Sequence, residues 1–149
     1  MKNLVLGLGN PILRDDGFGP EVARRLERRA HGKAAVVETS LSGVNLLDLL
    51  VGYDKVVIVD SLTLGGKPGT LYKLSPGDLP CFRSSSSHTM GLVELLELGE
   101  KMRARMPEKV VILGVEPADI TTLREGCTPS VKAAIGKTVT LALKEIENA

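Results

Sequence analysis

Tryptophan is absent from the chain, and two Phe and two Tyr are its only aromatic residues. Large rings therefore cannot dominate the interior, which must be built from Leu, Val, Ile and Ala. Cysteine is almost absent as well. Cys81 and Cys127 have neither metal-ligand spacing nor the framework of a disulfide scaffold. Two such thiols suit a reducing compartment, where a buried Cys behaves as a small apolar residue. Neither charge sign prevails, the formal net charge being +1, so no global field draws the molecule toward nucleic acid or acidic lipid. No stretch approaches the roughly 18 apolar residues of a membrane span. The opening apolar run is broken by Gly7 and Gly9 and followed at once by Arg14, Asp15 and Asp16, which is not the pattern of a secretory signal. A cytoplasmic protein with no nucleic-acid or membrane partner is expected, and nothing in its charge opposes a monomer.

What the chain does contain is 149 residues, 43% of them hydrophobic, enough for one domain (residues 1–149) with a substantial core. Lys2 to Leu8 reads as a first strand, apolar without alternation, as when both faces of a sheet are covered. Pro20 suits a first helical position, with Val22, Ala23, Leu26 and Ala30 inward. Ala35 to Glu38 predicts a second strand, and Val44 to Val51 a short helix ended by Gly52. Lys55 to Val59 is the strongest strand signal, with Asp60 closing it. Lys67-Pro68-Gly69 predicts a turn, and Leu71 to Leu74 an edge strand broken by Ser75-Pro76-Gly77. A helix from about Thr89 to Arg105 is expected to bury Leu92, Val93, Leu95, Leu96 and Met102. Val110 to Val115 predicts a further buried strand. The last helix has Thr128 as N-cap and Pro129 at its first position, with Val131, Ile135, Thr138, Val139, Ala142 and Ile146 on one face. Strands alternating with helices predict an α/β fold: a single-domain three-layer sandwich, with a mostly parallel twisted sheet of about five strands and helices on both faces.

In such sheets ligands bind outside the carboxyl ends of the strands. Asp16 follows the first strand and Asp60 ends the third. If those strands are neighbours, the two acids share a crevice that His88 could enter from its Ser-rich loop (Ser84 to Ser87). Two carboxylates and an imidazole form a mixed oxygen and nitrogen set that borderline divalent metals accept. The residues alone leave this reading and a structural one open. Asp16 could instead complement a helix N-terminus, Asp60 could form a turn, and His88 could be a surface or capping histidine. Asp15 is expected to bond loop amides. Gly7-Leu8-Gly9-Asn10 lacks the third glycine of a dinucleotide fingerprint, and paired carboxylates would repel pyrophosphate, so nucleotide binding is not expected. The serine run has no nucleophile-elbow glycines, and nothing places His88 beside Cys81.

Taken together, Gly7-Leu8-Gly9-Asn10, Asp15-Asp16-Gly17-x-Gly19-x-x-Val22, Val57-Ile58-Val59-Asp60 and His88 resemble the hydrogenase maturation endopeptidases. Gly114-Val115-Glu116-Pro117 is similar to that family's late strand-and-turn motif, and Thr128-Pro129-Ser130-Val131 to its C-terminal segment. The resemblance runs in order over essentially the whole chain. It implies a cytoplasmic α/β protease that removes a C-terminal extension from the large-subunit precursor of a nickel–iron hydrogenase, after nickel insertion. It also implies that Asp16, Asp60 and His88 are the metal-contacting and catalytic residues. Nickel would then arrive with the precursor, and no tightly bound zinc is expected in the free protein. Two alternatives stand beside it: a maturation chaperone, which would use the same three residues to bind precursor without cleaving it, and a peptidyl-tRNA hydrolase-like esterase. Gly7-Leu8-Gly9-Asn10-Pro11 is similar to the start of peptidyl-tRNA hydrolases, yet no His follows before His31, where that pattern requires one.

Overall fold

The computed structural model of the chain describes residues 1–41, 43–79 and 92–148. Nine regular elements alternate along them: β1 (Asn3–Leu8), α1 (Phe18–Glu27), β2 (Ala35–Thr39), α2 (Leu47–Leu50), β3 (Lys55–Ser61), β4 (Leu71–Leu74), α3 (Leu92–Lys101), β5 (Lys109–Val115) and α4 (Pro129–Glu147). The sheet order is β2-β1-β3-β5-β4. β1, β2, β3 and β5 pair in parallel, and β4 closes one edge antiparallel to β5. The expected edge strand is therefore at an edge, and the two acid-bearing strands are neighbours, with Gly7 opposite Val59.

Pleating sorts the apolar residues into two clusters. Val5, Val57, Val59, Leu113 and Val115 pack with Phe18, Val22 and Leu26 of α1 and with Val131, Ile135 and Val139 of α4. Leu4, Leu6, Leu8, Val56, Ile58 and Ile112 pack with Leu46, Leu47 and Leu50 around α2 and with Leu92 and Leu95 of α3. This explains why β1 and β3 read as unbroken apolar runs: every residue of both is buried. The outer strand β2 is only partly covered.

Several boundaries differ from expectation. α1 begins at Phe18 after a 3-10 turn over Arg14–Gly17, so Pro20 is its third residue. It remains in the first turn, where a missing N–H costs nothing. α3 occupies Leu92–Lys101; Thr89, Met90 and Gly91 lie outside the described residues. Val93 and Met102 are 38% and 63% exposed, against the expectation that both are buried. Leu92, Leu95, Leu96 and Gly99 share the inward face at helical spacing, and Val93 is rotated off it. Met106, arriving from beyond the helix, packs onto Gly99 and fills the space expected for Met102. Lys67 to Thr70 forms the expected turn, with Pro68 second, Gly69 third at φ 93°, and the Thr70 N–H donating to the Lys67 carbonyl at 3.0 Å. Thr128 caps α4 as expected, but its hydroxyl serves Asp15 instead of the helix itself.

Candidate active site

The site begins where β1 runs out. Gly9 takes φ 142°, and a side chain there would meet the Asp16 carbonyl oxygen at 1.8 Å. Only glycine lets the chain fold back so closely. Gly19 has a related role at the start of α1: a Cβ would lie 2.3 Å from the Leu8 carbonyl oxygen and 2.4 Å from that of Val59. The first turn of α1 thus rests on the ends of β1 and β3, and the preceding Asp15-Asp16 pair is carried to the carboxyl edge of the sheet.

The two adjacent acids diverge completely. Asp15 is fully buried, and its Oδ2 accepts the amides of Ala118 at 2.8 Å and Asp119 at 2.9 Å. Its Oδ1 accepts the Thr128 amide at 2.7 Å, and the Thr128 hydroxyl bonds the same carboxylate. These are the loop amides expected of it, and they lock the β1–α1 turn to the start of α4. Asp16 is 8% exposed. Its Oδ2 accepts the Asn10 amide at 2.8 Å, and its Oδ1 lies 3.5 Å from the Ser61 hydroxyl.

Asp60 lies inside β3, which continues to Ser61, so it does not end the strand as expected. Its side chain has no solvent exposure. Oδ1 accepts the Ser61 amide at 2.8 Å, and Oδ2 has no hydrogen-bond partner among the described residues. Burial, reinforced by the negative charge of Asp16, raises the Asp60 carboxyl well above the ordinary carboxylate range. One buried oxygen without a donor, beside a second carboxyl, is an environment that a cation or a proton would relieve. His88 and Cys81 lie outside the described residues. Among the described residues no group of three or more His, Cys, Asp and Glu is arranged to hold a metal ion. Cys127 is half-buried, and burial together with the Asp15 charge pushes its thiol up to about 11, an inert state near neutrality.

One acid at this edge was placed by the sequence only in the late strand-and-turn motif Gly114-Val115-Glu116-Pro117 and was given no part in the site. Glu116 follows β5 directly and is 4% exposed. Its Oε1 accepts the amides of Leu64 and Gly66, both at 2.9 Å, and the Tyr72 hydroxyl at 2.8 Å. Burial and the neighbouring Glu116 carboxylate push the Tyr72 phenol up to about 12, so it stays a donor. The signal was available: Glu116 follows an apolar strand just as Asp60 follows Val59.

Comparison with known proteins bears on what this edge does. The family model for hydrogenase maturation proteases matches residues 20–145. The chain belongs to the hydrogenase maturation protease family. The matched range contains Asp60, His88 and Glu116 and begins just after Asp16. The coenzyme F420 hydrogenase subunit delta of Methanothermobacter thermautotrophicus is 32% identical over 96% of this chain and 93% of its own length. Solved structures share the fold. The hydrogenase maturating endopeptidase HybD from E. coli has TM-score 0.83 and 25% identity, covering 99% of this chain and 93% of that one. The [NiFe] hydrogenase maturation protease HybD from Thermococcus kodakarensis has TM-score 0.76 and 26% identity, covering 98% and 99%. The mixed five-stranded α/β architecture is thus that of this protease family.

Proposed function

We propose that this protein is an endopeptidase that removes the C-terminal extension of a nickel–iron hydrogenase large-subunit precursor once nickel has been inserted. Nickel in this reading belongs to the substrate. It is held by precursor cysteines with open or exchangeable positions, which Asp16, Asp60 and His88 complete. The observation that carries the reading is the unpartnered, fully buried Oδ2 of Asp60 beside Asp16. A divalent cation reaching this pair would offset their mutual repulsion and give that oxygen a partner.

Recognition through the metal also accounts for discrimination. An empty precursor brings no positive charge to the crevice, so the carboxyl pair has nothing to bind. A loaded precursor brings the cation and, with it, the peptide bond to be hydrolysed. An acid of the crevice could act as general base on the attacking water. The protein acts in the cytoplasm, as a monomer, with no tightly bound metal of its own.

The decisive experiment offers nickel-loaded and nickel-free large-subunit precursor to the purified protein and follows the precursor mass. Loss of a C-terminal peptide from the loaded form alone is expected. Binding without a mass change would replace the endopeptidase reading with that of a precursor-binding chaperone. Activity on peptidyl-tRNA, with neither precursor form affected, would establish the esterase. Asp16→Asn and Asp60→Asn each abolish cleavage with the fold intact; normal activity in both removes this site from consideration.

A further inference from the structure

The loop of residues 62–70 joins β3 to β4 and starts immediately after Asp60 and Ser61, at the sheet edge where α/β proteins bind ligands. Leu62 is buried, whereas Thr63, Gly65, Gly66, Lys67 and Pro68 are exposed. Such a loop has too little apolar surface to be fixed by packing. It is fixed by one residue instead. Glu116 Oε1 takes the amides of Leu64 and Gly66 near the start of the loop, and the Tyr72 hydroxyl just beyond its end. The Glu116 main chain completes the grip, its carbonyl accepting from the Gly69 amide at 2.8 Å and its amide donating to the Thr70 carbonyl at 2.9 Å.

Burying a carboxylate carries a desolvation cost that apolar packing would not. Here that cost is offset by hydrogen bonds that serve one purpose, the shape of an exposed loop beside the acid pair. We propose that Glu116 is a positioning residue for the cleavage reaction: it holds the 62–70 loop, with its exposed Lys67, as the wall against which the precursor's scissile peptide is laid. The inference rests on the endopeptidase reading above. Glu116 touches no reacting atom in it and acts only through the loop.

Because all three side-chain bonds reach a single oxygen, the role requires an acceptor and not a charge. Glu116→Gln keeps a carbonyl oxygen at that place, whereas Glu116→Ala leaves none. Steady-state cleavage of nickel-loaded precursor is therefore measured for the parent, Glu116→Ala, Glu116→Gln and Tyr72→Phe. Glu116→Ala is expected to raise KM by about tenfold or more with kcat changed less than about threefold, the mark of lost substrate positioning. Glu116→Gln stays within about threefold of the parent, and Tyr72→Phe, losing one bond of the three, falls between. Gly66→Ala serves if Glu116→Ala does not fold. Its Cβ would meet the Tyr72 hydroxyl at 2.2 Å, which breaks the grip from the exposed side, and it is expected to reproduce the KM rise. Amide exchange at Leu64 and Gly66 reports whether the loop has been released. A released loop with unchanged KM overturns the inference, as does a Glu116→Gln variant as impaired as Glu116→Ala. A parent that leaves loaded precursor intact overturns the endopeptidase reading itself, a result distinguishable from either.

Discussion

Burying Asp60 beside Asp16 makes its carboxyl keep a proton that a solvated carboxyl would have lost. In the unfolded chain Asp60 ionises near the usual pH of about 4. Between that pH and its raised folded value, the native state binds more protons than the unfolded one, so stability falls as pH rises. Asp60→Asn removes this dependence. At neutral pH the variant should be more stable than the parent, by something on the order of 1–3 kcal/mol, although it cannot cleave. Urea unfolding at pH 4 and pH 7.5 checks this: the two proteins should converge at the lower pH and separate at the higher. Asp15 behaves in the opposite sense. Its carboxylate satisfies three amides and a hydroxyl, and Asp15→Ala leaves those donors buried without an acceptor. A loss of ~3 kcal/mol or more is expected in the same assay. Equal stability of Asp15→Ala and parent would mean that the α4 start is held by something else. Asp15's role as a binder of loop amides was legible from its place in a glycine-rich turn. Which amides it binds was not, because they lie more than 100 positions away in sequence.

Among elements, α1 and its approach to the sheet matter most. Its inward face of Val22, Ala23 and Leu26 was readable from helical spacing. Its tilt onto the strand ends depends on Gly19, where a Cβ would strike two main-chain carbonyls that cannot move aside. Gly19→Ala should cost ~2 kcal/mol by overpacking and displace Asp16 together with the helix. Cleavage should then fall further than the loss of folded protein explains, a comparison made by titrating folded fraction against rate. Unchanged specific activity would show that Asp16 is placed independently of α1. The α3 region illustrates the limits of periodicity. Spacing identified the helix, while the choice between Met102 and Met106 as its core neighbour fell to a chain reversal at Arg103, φ 59°, that no helical pattern encodes.

Across the whole molecule, the end of the sheet opposite the acid pair carries its own polar lock. Lys55, first in β3 and 1% exposed, bonds the main-chain carbonyls of Glu145 and Asn148 and pairs with the Glu145 carboxylate at 3.0 Å. Lys73 reaches the other oxygen of the same carboxylate. Burial alone would raise the Glu145 carboxyl, but the hydrogen bonds from Lys73 and Lys55 hold it below the ordinary range. Lys55→Ala should unfold at lower urea by ~3 kcal/mol or more, since α4 would lose its tie to the central strand, yet the folded fraction should keep normal cleavage. A fall in cleavage per folded molecule would instead couple the two ends of the sheet. No helix among the described residues is long and apolar enough to cross a membrane.

The sequence by itself determined the strands, the helices and most of their buried faces, though not that of α3, where Val93 and Met102 turn outward, because alternation and helical spacing are local consequences of which side chains must leave water. It also determined that Asp16 and Asp60 sit near strand ends. Only the tertiary structure decided that β1 and β3 are neighbours, so that the two acids meet. It alone decided that Lys55 and Glu116, charges that sequence reading would leave in solvent, are buried as anchors. The physical reason is the same in each case. Burying a polar group depends on a partner that supplies the lost hydrogen bonds, and here those partners come from segments 44 or more positions away, joined by the packing of the sheet and not by any local pattern.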